Sequence, residues 1–368
     1  MFPQELPEAS IFYLAWYAAT WLLHVVAMNY VLAGSALVAA AAVREWSKRS
    51  NAAWRRLGDR LRDWLPFALG VTITFGVAPL LFVQVLYRRE FYTANLLLSH
   101  RWMSIVPVLI VAFYLLYLQK GAWWSRRSSG PRAAVAIGVF VCFAFVAGSW
   151  TENHLLSLQG QAAWTAEYVA DRWFYSHPEL LPRLALWCCV AFPTSATLLA
   201  IQIRCDPQDA RPTDAVAREN VDRETTALLG RAAVAASSAA AVAALVYLSR
   251  IPDVVRARIV GGDAMPYTVA AVGGFVVQAG LWFGVARSGD LSRVRLTAIG
   301  ATLGLALVAA TALREIRRTS VLDWSAPAEA HAAAAQVGGF AVFFTFFIVN
   351  ALAVAWCVRL VRRHLRPG

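Results

Sequence analysis

The sequence predicts an all-α protein that crosses a membrane about nine times as a polytopic helical bundle. Composition is the first reason: 59% of the 368 residues are hydrophobic and only 15% are charged, whereas about a quarter of the residues in a soluble domain are charged. The second reason is that the hydrophobic residues form long runs. About 20 consecutive apolar residues are enough for a helix to cross a bilayer core.

Nine such runs are present. The first and the last exceed what a bilayer requires, so we expect each of them to tilt or to protrude. The sixth and the eighth are rich in small residues, which favours close packing against neighbouring helices. The predicted spans are residues 10–42, 64–87, 102–119, 133–152, 180–203, 228–249, 266–287, 294–313 and 335–360.

The distribution of Lys and Arg predicts the orientation. Five segments on one side of the predicted membrane carry 23 of the 34 basic residues: 44–63, 120–132, 204–231, 287–295 and the tail after residue 358. Since basic residues are retained on the cytoplasmic side, the N-terminus is predicted outside and the C-terminus in the cytoplasm. We therefore attribute the net charge of +12 to topology in a bacterial inner membrane and not to nucleic-acid binding.

The polar segment 204–231 divides the chain into a first bundle of five spans (1–203) and a second bundle of four spans (232–368). We interpret it as a cytoplasmic linker with an amphipathic helix from about Asp214. The longest external loop, 153–179, is rich in Trp and Tyr and predicts a short helix at the outer interface. The acidic N-terminus lacks the basic region of a signal peptide, so we expect the first span to be retained.

Residues 64–93 form the span with the most unusual composition. Gly76 lets a helix or a flat cofactor approach the backbone, and Pro79 removes a helical hydrogen bond. Gln84 is a polar group inside the membrane and requires a partner. We expect this span to form one wall of an outward-facing site, although an ordinary packing helix is the alternative.

His24 is the sharpest candidate for a functional side chain because an imidazole inside a span is costly unless it is paired or coordinated. A histidine on a transmembrane helix is a common ligand of haem b iron. Met28 lies one turn further along the same face and offers a thioether. The alternative is a neutral histidine that is hydrogen-bonded to a neighbouring helix.

Polar residues at the predicted outer ends of spans form a second set of candidates. His154 follows span four, where a quinone, haem-propionate or proton site and an ordinary helix end are both compatible with the pattern. Arginines on the outer face run against the positive-inside trend, and haem propionates, a quinone or an acidic partner would account for them. They are Arg250, Arg256 and Arg258 after span six and Arg314, Arg317 and Arg318 after span eight.

Several functional classes lack support in the sequence. The five cysteines form no C-x-x-C or C-x-x-C-H arrangement, so zinc ribbons and covalently attached haem are not indicated. Walker, dinucleotide-binding, H-E-x-x-H and G-x-S-x-G motifs are also missing. Paired inverted segments are absent, which argues against a secondary transporter.

Two stretches resemble b-type cytochrome membrane proteins that are distantly similar to the large subunit of cytochrome bd quinol oxidase. The first is LHVVAMNYVLAG at 23–34; the second is GVTITFGVAPLLFVQVLY at 70–87, followed by FYT at 91–93. The resemblance covers residues 15–120 well and the rest loosely. It implies about nine spans, haem b, and electron transfer between quinol and a partner, often a c-type cytochrome.

The chain departs from this pattern at two histidines. The run after Pro182-Arg183 carries none, and Glu315 stands where relatives have a histidine between arginines. Arg314 and Arg318 still match, and the resemblance implies that a glutamate can serve as a haem ligand. These departures predict fewer haems than in relatives.

The sequence therefore predicts an electron-transfer subunit of a respiratory complex, with His24 as the haem b ligand and quinol bound near the outer face. Met28, His154 or Glu315 would supply a second ligand, and Gln84, Arg314 and Arg318 would contact cofactors. The first alternative is a haem-free anchor or scaffold subunit of such a complex. The second is a transporter, which predicts a water-filled cavity at mid-depth.

Overall fold

The computed structural model describes residues 8–170, 172, 174–205, 215–336 and 339–364, and all regular secondary structure within them is helical. The predicted all-α membrane bundle is confirmed. Within these described residues, eight helices are long and apolar enough to span a membrane. The ninth predicted span corresponds to the last helix, whose apolar stretch is the shorter Phe344–Cys357.

Short helices join several of the neighbouring spans. The helices that form the eight spans are α1 (Glu8–Trp46), α2 (Ala52–Leu86), α5 (Ile105–Lys120), α7 (Ser129–Leu156), α9 (Leu180–Arg204), α10 (Ala215–Leu248), α12 (Met265–Ser288) and α13 (Arg293–Val321). The short α4 (His100–Met103) extends α5 to complete the third span. The last helix of the chain is α15 (Gly339–His364). The short helices are α3 (Arg88–Leu98), α6 (Ala122–Ser125), α8 (Gln161–Ala170), α11 (Asp253–Gly261) and α14 (Ser325–Gln336).

Helix α1 lies at the centre of the bundle. In its most apolar window 72% of the residues are buried, against at most 44% in any other span. It packs against α2, α7, α9, α13 and α14. With 39 residues and a rise of about 1.5 Å per residue, it is longer than the bilayer core, as the sequence predicts.

Small residues on α1 explain its central position. A Cβ atom at Gly34 would lie 3.1 Å from side-chain atoms of both Leu61 and Leu65 on α2, so the glycine allows the two helices to approach closely. One polar contact fixes the opposite face, where the Asn29 amide donates to Thr194 Oγ1 of α9 at 3.2 Å. Both side chains are fully buried.

The predicted linker is largely the beginning of a long helix. Helix α10 runs without interruption from Ala215 to Leu248, so the amphipathic helix predicted from about Asp214 continues directly into span six. An ion pair of 2.6 Å between Arg56 of α2 and Asp222 attaches its first turns to the first half of the chain. The division into two bundles stays a prediction.

The short helices α3, α8, α11 and α14 gather at the end of the bundle that the charge pattern predicts to be outside. Helix α8 confirms the short helix expected in segment 153–179. Its Trp164 is buried and donates a hydrogen bond to the carbonyl of Leu156. These helices cover the ends of α1, α7, α9 and α13, where the candidate site lies.

We expect Gly230→Ala to destabilise the protein, because the new Cβ would lie 2.6 Å from the backbone nitrogen of Ala286 where α10 crosses α12. Overpacking of this kind costs about 1–3 kcal/mol. Gly284→Ala is the matched control on α12, since nothing lies within 4 Å of its added Cβ. Thermal unfolding in detergent should show a lower melting temperature for the first variant only; equal melting temperatures would contradict the crossing.

Candidate functional site: a buried charged cluster beside His24

Six charged side chains are buried together at the predicted outer end of the bundle. We call them the charged cluster, and each is at most 7% exposed. Four are on the last turns of α13, where Arg314, Glu315, Arg317 and Arg318 occupy consecutive faces of the helix. The other two precede or open α9: Glu179 and Arg183.

Glu315 is the anionic centre of the cluster. Its Oε1 accepts a hydrogen bond of 2.7 Å from Arg314, and its Oε2 accepts one of 2.8 Å from the Tyr87 hydroxyl. Arg318 lies 3.5 Å from the same Oε2. Tyr87 donates its hydrogen bond as a neutral phenol.

Glu179 forms the second carboxylate of the cluster. Arg317 contacts its Oε2 at 2.5 Å. Burial raises the pKa of Glu179, and the positive charges of Arg317 and Arg183 oppose that rise.

Two tyrosines each accept hydrogen bonds from two arginines. The Tyr17 hydroxyl on α1 accepts from Arg314 at 2.7 Å and from Arg318 at 3.1 Å. The Tyr247 hydroxyl at the end of α10 accepts from Arg183 at 2.8 Å and from Arg317. These contacts connect α1, α9, α10 and α13 through neutral groups and fix the positions of all four guanidinium groups.

The cluster carries more positive than negative charge. Four arginines face two glutamates, which leaves a surplus of two positive charges among these described side chains. The nearby pair of Arg101 and Glu152 is neutral as a unit and does not change this balance. A buried charge without a partner is strongly destabilising, so this end of the bundle favours an anionic ligand.

A cavity of about 60 Å³ adjoins the cluster between α1, α7, α9 and α13. Its volume is about that of two water molecules. The walls combine aromatic rings with polar groups from all four helices. They are Trp21, His24, Met28, Leu32, Ala147, Trp150, Thr151, His154, Arg183, Leu184, Trp187 and Arg314.

His24 lines this cavity with one face of its ring against α2. Its Nδ1 lies 3.1 Å from the carbonyl oxygen of Thr72. Since a carbonyl only accepts, Nδ1 carries the proton and Nε2 keeps its lone pair. A Cβ at Gly76 would lie 2.9 Å from His24 Cε1. Gly76 therefore allows the close approach that the sequence predicts, and the group that approaches it is the His24 side chain of α1.

His154 lies on the opposite wall and has the other tautomer. Arg318 Nη2 is 2.9 Å from His154 Nδ1, and a guanidinium only donates. Nδ1 therefore accepts, and the proton of a neutral ring is on Nε2, which is buried without a hydrogen-bond partner. In this arrangement His154 lines the cavity and keeps one donor that is not used within the protein.

The remaining predicted residues divide between the site and the surface. Met28 lines the cavity beside His24. Gln84 lies outside it and accepts a hydrogen bond of 3.0 Å from Tyr92, a half-exposed side chain on α3. The arginines after span six do not join the cluster: Arg250 is exposed, and Arg256 and Arg258 pair with Asp253 and Asp263.

Sequence reasoning missed several members of the site, among them Tyr17, Trp21, Glu179, Arg183 and Tyr247. Two of them had a detectable signal, because Tyr17, Trp21, His24 and Met28 recur at the spacing of one helical face. Arg314 stacks on the Trp21 ring at 4.0 Å from its centroid. Glu179 and Tyr247 lie far apart in the sequence and meet only through Arg317 and Arg183.

The described ranges contain no cluster of three or more His, Cys, Asp or Glu side chains that could hold a metal ion. The five cysteines are free thiols. The donor set of the site is therefore one imidazole with a free Nε2, surrounded by arginines and aromatic rings.

Comparison with known proteins shows the fold. No protein-family model matches the chain, and no curated protein matches it in sequence. A solved structure, that of bd oxidase from Geobacillus thermodenitrificans, superposes with a TM-score of 0.69 at 14% sequence identity. The match covers 97% of this chain and 99% of that chain, so the two share one fold nearly from end to end.

We expect Glu315→Leu to destabilise the protein by about 3–5 kcal/mol, the usual cost of breaking a buried ion pair. The loss leaves Arg314 and Arg318 without their carboxylate. Adding Arg318→Met should recover part of the stability, since it removes one of the stranded charges. Asp253→Asn, which breaks an exposed pair, is the control and should change stability by less than about 1 kcal/mol.

Thermal unfolding of the two single variants, the double variant and the control in one detergent measures these differences. A double variant that is less stable than Glu315→Leu would contradict the charge balance described above.

Proposed function

We propose that this chain is a membrane subunit of a quinol-linked respiratory complex, and that His24 ligates a haem b through which electrons pass between quinol and a partner cytochrome. The observation that carries the proposal is the tautomer of His24 together with its position at the cavity. Its Nδ1 proton is bound to the Thr72 carbonyl, and its free Nε2 belongs to a ring that lines a cavity inside the bundle. The shared fold with a bd oxidase supports the proposal.

The residues around the cavity fit a haem b with one protein ligand. Metal-bound histidines usually donate their other ring proton to a carbonyl or carboxylate, as His24 does. Met28 follows His24 by four residues on the same helical face, so it would approach an iron from the same side as His24. His154 already uses Nδ1 to accept from Arg318, so its Nε2 carries the proton, and Glu315 does not line the cavity; we therefore propose neither as a ligand.

The side chains around His24 have definite roles in this proposal. Thr72 and Gly76 fix the ring and its tautomer, and the aromatic walls exclude water. Arg183 and Arg314 supply positive charge that favours a bound anionic cofactor. A bound haem b supplies one-electron transfer, while these residues set its position and its electrostatic surroundings.

The pair of Gln84 and Tyr92 is our proposed contact for the quinol ring. It lies near the predicted outer end of α2, on a surface that faces lipid, from which a hydrophobic quinol would enter. The Gln84 oxygen accepts from Tyr92, which leaves the amide N–H groups as donors for a quinone carbonyl. The partner cytochrome, of c type in the resemblance, would dock at the same outer face.

A haem-free scaffold subunit is the second candidate function. The size of the cavity favours it, because about 60 Å³ accommodates water and not a porphyrin unless Trp21, Trp150 and Trp187 move. The same small volume disfavours a transporter, which requires a water-filled path at mid-depth.

A reduced-minus-oxidised absorption spectrum of the purified protein tests the proposal. We expect an α-band of haem b in the wild type and its loss in His24→Ala, since the only proposed iron ligand is removed. His100→Ala is the control, because His100 is exposed at the same end of the bundle. Met28→Leu should also keep the band.

The outcome separates the two candidates. A wild-type protein without the band, purified from cells that make haem, would rule out the haem subunit and favour the scaffold. Recovery of the band when imidazole is added to His24→Gly would assign the ligand directly, because imidazole replaces the missing ring without changing the fold.

A further inference from the structure

Four side chains that line the cavity beside the charged cluster carry hydrogen-bond donors, and we propose that they form a binding site for a small anion such as a carboxylate. The donors are the guanidinium groups of Arg183 and Arg314, the Nε2–H of His154 and the Nε1–H of Trp21. They come from four different helices. This site does not require a bound haem.

Arg183 provides the first reason. It is 6% exposed, and its hydrogen-bond partner is the neutral hydroxyl of Tyr247. Among the described residues no carboxylate lies within ion-pair distance of its guanidinium group. A buried arginine requires a negative charge, and the cavity that Arg183 lines is the adjoining space in which an anion would meet it.

The two unpaired N–H groups provide the second reason. His154 is 4% exposed, and both its Nε2 and Trp21 Nε1 are buried without partners. A buried donor without an acceptor costs about 1–3 kcal/mol. Both side chains line the cavity, and an anion bound there is the acceptor that we propose for them and for Arg183.

The dimensions and walls of the cavity restrict the ligand. About 60 Å³ is room for a chloride ion, a formate or one carboxylate group of a larger molecule. The Trp21 ring, which carries Arg314 on its face, and the Trp187 ring close the sides. The surplus of two positive charges in the cluster favours an anion over water.

Such an anion has two possible sources, a free carboxylate or halide and a propionate of a bound haem. Only the second rests on the proposed function. The first arm of the experiment therefore uses full-length protein from cells depleted of haem, so that failure of the haem proposal leaves the anion site testable.

Thermal unfolding in detergent with formate is the first measurement. The reference salt at equal ionic strength is sodium HEPES, whose sulfonate group is bulkier than a carboxylate. We expect formate to raise the melting temperature in a saturable way, on the order of 2–5 °C. The rise should disappear in Arg183→Met, which keeps much of the side-chain volume and removes the charge.

Arg256→Gln is the matched control, because it removes one exposed arginine at the same end of the bundle and should keep the full response to formate. His154→Phe should weaken the response by removing one donor. The proposal is overturned if formate has no effect on the wild type, or if Arg183→Met responds as strongly as the wild type does.

The second arm assigns the source of the anion. Haem-depleted protein is loaded with haem or with haem dimethyl ester, whose carboxylates are blocked. If a propionate occupies the site, haem abolishes the formate response and the ester does not. If the response survives loading with haem, the ligand is a free anion. This second arm only assigns the source of the anion. Whether the site exists is decided by the response of the wild type and of Arg183→Met to formate.

Discussion

The carboxylate of Glu315 is the interaction on which one end of the bundle depends. It accepts hydrogen bonds from Arg314 and Tyr87 and lies beside Arg318, and through these residues it connects α13 to α1, α2 and α7. Four arginines concentrated on two helices would repel one another in a medium of low dielectric constant. The two glutamates and the two bridging tyrosines reduce that repulsion without removing it.

The remaining surplus of positive charge in the cluster is the structural feature that bears most directly on function. A site that holds excess positive charge inside the bundle, next to an imidazole with a free nitrogen, has the chemistry to retain a negatively charged cofactor and to place it away from water. The same features are costly in a protein that serves only as packing. We therefore regard the proposed haem subunit as the better explanation of the charge pattern, and the small cavity as the main argument for the scaffold.

Much of the fold followed from the sequence, because long apolar runs and the distribution of Lys and Arg are local signals. His24, Met28, His154, Arg314, Glu315 and Arg318 were singled out in the same way, and the structure brings them to one region. Gln84 lies elsewhere, since the helical face it occupies turns toward the surface. Glu179 and Tyr247 could not be predicted, because their partnership with Arg317 and Arg183 exists only after four distant helices have packed.

The central position of α1 has a consequence for how the protein is made. Among the described helices, α1 precedes all the others in the chain and is also the span most enclosed by protein in the finished bundle. Its Asn29 and Tyr17 side chains pair with Thr194, Arg314 and Arg318, which lie 165 to 301 residues further along the chain. These polar groups of α1 are therefore satisfied only after α9 and α13 have packed against it.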